Sequence, residues 1–154
     1  MPLTGREVTV DNSGSGLPGE RALDADDEAA LQRAEVALAA LRSTAAMAFG
    51  EDLAVAEAAL RAARGGPEAV EPSLAALYDA AHCIKGLGGS LGFDLLTEIG
   101  RRLCARLKRR HREEADILIL ADAHLRAMRR VLDEDLRGDG GETGTALLAA
   151  LDAQ

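Results

Sequence analysis

Apolar residues recur at three- and four-residue steps through most of the chain, the period of a helix that buries one face. The rhythm sets in at Leu23. Asp24, Asp26, Asp27 and Glu28 crowd its start, where carboxylates are favoured by the helix dipole. Leu31, Ala34, Leu38, Leu41 and Ala45 follow, and Leu53, Ala56 and Leu60 carry the pattern on until Arg64-Gly65-Gly66-Pro67 stops it. The spacing predicts a further helix from near Pro72, with Leu74, Leu77, Ala81, Ile84, Gly88 and Leu91 as its seam. Another begins near Gly92 or Phe93 and turns Leu96, Ile99, Leu103 and Leu107 inward. It ends in Lys108-Arg109-Arg110-His111-Arg112, charges that suit a helix C-terminus. A last long helix runs from about Glu113 to Leu136 on Ile117, Ala121, Leu125, Met128 and Leu132. Ile117 to Leu120 is the one short β-like stretch, and the helical rhythm continues through it.

Residues 1–19 mix Gly, Ser, Pro and polar side chains without a period and read as a disordered tail. The helical bundle is expected over 20–137. Residues 138–154 form a Gly-rich loop and TALLAALDAQ, either a short docking helix or a frayed end. The fold class implied is all-α, an antiparallel four-helix bundle with an additional N-terminal helix. That extra helix either completes the bundle or pairs with a second copy.

Composition agrees. A chain of 154 residues can bury a core, and 47% hydrophobic with only 2% aromatic residues suits closely packed helices better than sheets. A net charge of −8 argues against nonspecific nucleic-acid binding. Cys83 and Cys104 stand 21 positions apart and form no CxxC motif, so both are expected as small core or flank residues without a disulfide. The first twenty residues carry no secretory signal, and no apolar run approaches the ~20 residues that span a bilayer. The expectation is a cytoplasmic protein with no membrane contact.

One segment departs from ordinary helix composition. Residues 81–92 read AHCIKGLGGSLG, with four glycines within seven residues beside a His-Lys pair. Each glycine inside a helix costs ~1 kcal/mol relative to alanine, so the segment is either near a helix end or needs clearance. On a helical wheel the seam residues lie about 80° or more from His82, which places His82 on the flank of the apolar stripe. Lys85 follows one turn later, its stem leaning back toward the histidine. Gly86 and Gly89 share that face. The lysine precedes the glycines, so GxxxxGK[ST] is not met, and Leu91 stands where a dinucleotide fingerprint needs its third glycine. A helix cap at Gly86 remains open, although the seam continues through Gly88 to Leu91.

His82-Cys83-Ile84-Lys85-Gly86, followed by Gly89-Ser90 and Gly92-Phe93, resembles the HxxKG signature of histidine-phosphotransfer (HPt) domains. Similar strings occur in the phosphotransfer domain of chemotaxis kinases. The resemblance covers about a dozen residues closely, and the helical layout more loosely. It implies that His82 is the phosphoacceptor, taking a phosphoryl group from a receiver-domain aspartate and passing it to another. Lys85 would offset the phosphoryl charge. Gly86 and Gly89 would leave room for the partner, and Lys108 would lie near the phosphoryl group. In many members the following helix supplies a polar side chain, often Gln, that orients the imidazole. That position here is Cys104, a weak hydrogen-bond partner, so Asp79 on the preceding turn is the other candidate for orienting the ring.

The implied partners are response-regulator receiver domains and a hybrid histidine kinase. Mg²⁺ would sit on the receiver, so no intrinsic cofactor or metal is expected. The chain would be a phosphohistidine carrier and not an autonomous kinase. The alternative is a non-phosphorylated helical adaptor that binds response-regulator or kinase domains. Between Arg101 and Arg112 lie seven Lys or Arg and no acidic residue. That run is either a solvated face balanced by Glu113, Glu114 and Asp116, or a docking surface for the acidic rim of a receiver. Nucleic acid is not favoured, because no aromatic residues interleave the run. His111 reads as a surface residue and His124 as a core-edge one.

Overall fold

The computed structural model describes residues 24–109 and 114–154; the predicted tail over 1–19, and Arg110, His111, Arg112 and Glu113, lie outside the described residues. The described chain is helical, with no strand: α1 (Ala25–Ala63), α2 (Pro67–Gly88), a 3₁₀ turn (Gly89–Leu91), α3 (Asp94–Lys108), α4 (Glu114–Asp133) and α5 (Gly141–Asp152). The β-like stretch Ile117 to Leu120 lies inside α4. Contacts divide the chain into two units, Met1–Val36 and Ala37–Gln154.

In the first unit, the described residues are the start of α1. The Asp24 carboxylate accepts the backbone N–H groups of Asp26 and Asp27 at 3.1 and 2.9 Å, which caps the helix. Leu31 and Val36 are exposed.

In the second unit, α1 contributes Ala45, Phe49, Leu53, Ala56, Leu60 and Ala63 to the core, whereas Leu38 and Leu41 are exposed. No separate additional helix precedes the bundle within 25–63; α1 is one helix of 39 residues. The regular apolar spacing ahead of Ala45 therefore marks helix period without marking burial. Burial requires a facing partner as well as a stripe.

α2 begins at Pro67 rather than near Pro72. Pro67 takes the helix's first turn, where its missing N–H costs nothing, and Pro72 sits inside the helix. An internal proline costs ~3 kcal/mol, offset here by burial of Val70, Ser73 and Leu77 on the same helix. α2 and α3 run antiparallel, as their facing pairs show: Gly88 meets Thr97, Lys85 meets Gly100, and Tyr78 meets Lys108. α1 and α4 are antiparallel too. Arg129 forks onto Glu57 with both hydrogen bonds at 3.1 Å, and Arg64 reaches Asp122 at 3.3 Å.

The core joins all of these helices. Leu77, Leu96, Ile99, Leu103, Leu125 and Met128 are fully or almost fully enclosed. Phe93, just before α3, meets Phe49 edge-to-face at 5.9 Å, and the Arg137 guanidinium covers its ring at 4.2 Å. TALLAALDAQ forms a docked helix: Leu151 of α5 is buried, and Arg102 of α3 bonds the Leu148 carbonyl at 3.2 Å and Asp152 at 2.6 Å. Among the described residues no helix is long and apolar enough to cross a membrane.

Candidate functional site around His82

The four glycines after His82 have separate roles. Gly86 is exposed, and a Cβ there would meet nothing within 4 Å. Gly88 is buried where α3 crosses: a Cβ would lie 2.7 Å from Thr97 Oγ1 and 3.0 Å from the Phe93 carbonyl. Gly89 faces Asp94 and Thr97 at ordinary contact distance. Gly92 has φ +81°, the left-handed conformation that closes the turn, and its N–H donates to the Gly89 carbonyl. The helix end is therefore not at Gly86, because α2 continues to Gly88. Of the glycines expected to leave room beside the imidazole, Gly86 is the fully bare one.

His82 is exposed on α2, one turn after Tyr78. The two rings stack with centroids 5.9 Å apart and planes 23° from parallel. Lys108 of α3 reaches over Tyr78, its Nζ 5.4 Å from the ring centroid. The hydrogen bond with the Tyr78 hydroxyl holds the Lys108 pKa above its usual range. At 5.4 Å the ammonium also lies within cation–π range of the ring.

Lys85 is half-buried. Its Cα and Cβ pack against Gly100 of α3, whose absent side chain allows the two backbones to approach. The antiparallel register puts Cys104 level with Ala81 and His82. Cys104 is buried, Cys83 is exposed, and both thiols are free. Burial pushes the Cys104 thiol pKa up, while Lys85 and Lys108 pull it down. Both ammonium groups thus act on the Cys104 thiol between α2 and α3.

Neither Cys104 nor Asp79 hydrogen-bonds the His82 ring; among the described residues its side-chain partner is Tyr78. Asp79 instead lines a groove of about 380 Å³ with Leu74, Ala75, Tyr78, Leu107 and Lys108. Tyr78 and Gly100 were not singled out from the sequence. Tyr78 carried a signal, because it is the only tyrosine and precedes His82 by four residues. Gly100 carried none beyond being a glycine within a helical pattern.

The basic run is partly neutralised. Arg101 forks onto Glu98 at 2.8 and 2.7 Å, and Arg102 shares the same carboxylate at 2.7 Å. The Arg101 hydrogen bonds, seconded by Arg102, bring Glu98 down to about 2 against the cost of burial. Lys108 and Arg109 remain exposed at the end of α3 nearest Tyr78, while Arg110, His111 and Arg112 fall outside the described residues. His124 is buried, its Nδ1 2.8 Å from the Leu120 carbonyl, and belongs to the core.

No protein-family model matches the chain, and no curated protein or solved structure does.

Proposed function

We propose that this chain is an HPt-like phosphorelay intermediate, with His82 as phosphoacceptor. The observation that carries the reading is an exposed imidazole on α2, beside the bare face of Gly86, with Lys85 one turn on along the same helix and Lys108 of α3 over the Tyr78 ring that stacks on it. A neutral ring nitrogen attacks the phosphorus of a receiver's aspartyl phosphate. An N–P bond forms, the acyl P–O bond breaks, and the aspartate leaves as carboxylate. Lys85 and Lys108 offset charge on the transferring group. The reverse of that step on a second receiver discharges the histidine. Mg²⁺ and the acidic pocket belong to the receiver. Lys108 and Arg109 would meet the receiver's acidic rim, and a hybrid kinase would supply phosphate at the head of the relay.

Incubation with a panel of phosphorylated receivers tests this. Wild-type protein should take up an acid-labile, base-stable phosphate, and His82→Gln should take up none. Full labelling of His82→Gln would remove the assignment. Receiver binding that survives His82→Ala, with no labelling of the wild type, would favour an adaptor instead.

A further inference from the structure

We infer that Tyr78 is the positioning residue of the His82 imidazole, acting by ring stacking and itself fixed by Lys108 from α3. The inference rests on the proposed phosphotransfer role for its consequence, and on geometry for its substance.

An exposed imidazole on a helix has two free side-chain torsions, and a nucleophile needs its reacting nitrogen aimed in line with the phosphorus. A polar partner usually supplies that aim by a hydrogen bond. Here Cys104 is enclosed and Asp79 is turned to the groove, and neither bonds the ring. What does touch the ring is a near-parallel phenol one turn back, with centroids 5.9 Å apart at 23°. Aromatic pairs at this separation favour offset stacking, an attraction added to area burial. That is enough to bias a surface ring toward one rotamer.

A stacking partner that swings freely would position nothing. Tyr78 is held from two sides: it packs against the core, and the Lys108 ammonium of the neighbouring helix lies over its ring at 5.4 Å from the centroid. The chain of contact therefore runs from α3, through Lys108 and Tyr78, to His82 on α2. Stacking occupies one face of the imidazole and uses neither ring nitrogen. A hydrogen-bonded ring spends one nitrogen on its partner, whereas a stacked ring leaves both available, so aim is gained without consuming a nitrogen.

Aromatic-detected NMR on wild-type protein and on Tyr78→Leu, Tyr78→Phe and Lys108→Met tests the inference directly. Wild type should give ring-to-ring NOEs and upfield-shifted His82 ring protons. Tyr78→Phe should keep both, Tyr78→Leu should lose both, and Lys108→Met should weaken them. In transfer assays Tyr78→Leu should lower kcat ~2- to 10-fold with KM for the receiver unchanged. Tyr78→Phe should recover most of that loss. Absence of the NOEs in folded wild-type protein would overturn the inference, and so would a Tyr78→Leu effect confined to KM, which marks a docking role. If the NOEs are present but no receiver labels His82, the proposed function falls while the positioning contact stands.

Discussion

Gly100 of α3 lies directly against Lys85 of α2: a Cβ at position 100 would stand 3.1 Å from Lys85 Cβ and 3.0 Å from the Ala81 carbonyl. Gly86, one residue after that lysine, faces open space. The two glycines should therefore respond oppositely to alanine. Gly86→Ala should stabilise the fold by ~0.5–1 kcal/mol through helix propensity. Gly100→Ala gains the same propensity but pushes backbone against backbone, and overpacking of this kind costs ~1–3 kcal/mol. Urea midpoints should rise for the first and fall for the second, with m unchanged in both.

Thr97 offers a sharper test of the same helix pair. Its Oγ1 is buried without a hydrogen-bond partner and occupies the space that a Gly88 side chain would need. Thr97→Val removes an unsatisfied hydroxyl at constant shape and should stabilise by ~1 kcal/mol. Gly88→Ala alone should destabilise. The two sites compete for one space, so Gly88→Ala with Thr97→Ala should cost less than the sum of the single changes. A double-mutant cycle with no coupling would show that the contact does not form in solution.

The seams of α2, α3 and α4 were legible because each stripe has a helix facing it. Leu77, Ile84, Leu96, Leu103 and Met128 are all enclosed as their spacing predicts. Leu38 and Leu41 follow the same spacing and are exposed, because periodicity reports what a helix offers and never what meets it. The apolar spacing puts the start of α2 near Pro72, yet Pro67 stands at the preferred first-turn position. At the site, the exposure of His82 followed from the wheel. The stack on Tyr78 did not, since rotamers and the tether from α3 depend on tertiary contact.

His124 gives the fold a pH dependence near neutrality. Burial lowers its pKa from 6.5, first through desolvation and further through Arg106 and Arg102. The unfolded chain then binds a proton that the folded chain refuses, so stability is full above 6.5 and declines as pH falls below it. Urea midpoints between pH 7.5 and 5 should drop for wild type and stay flatter for His124→Gln. Glu98 acts in a separate, more acidic window. Its pKa of about 2, held there by Arg101 and Arg102, lies below the ordinary 4.5, so its contribution is present above 4.5 and lost as pH falls toward 2. Glu98→Gln should flatten that lower limb alone.

Cys104 decides between two ways of aiming His82. It occupies the level where a polar partner is expected, but it is 5% exposed and burial raises its thiol pKa, so at neutral pH it is a small, protonated filler. If Tyr78 aims the ring, Cys104→Ala should leave the proposed phosphoryl transfer to His82 unchanged and cost a modest amount of stability for the lost sulfur. Cys104→Gln should not improve transfer, because a longer side chain in an enclosed slot costs ~1–3 kcal/mol in overpacking. Thiol labelling provides the control. A disulfide reagent should modify exposed Cys83 promptly and Cys104 only on unfolding. A Cys104→Ala variant that folds normally yet transfers slowly would return the aiming role to the thiol.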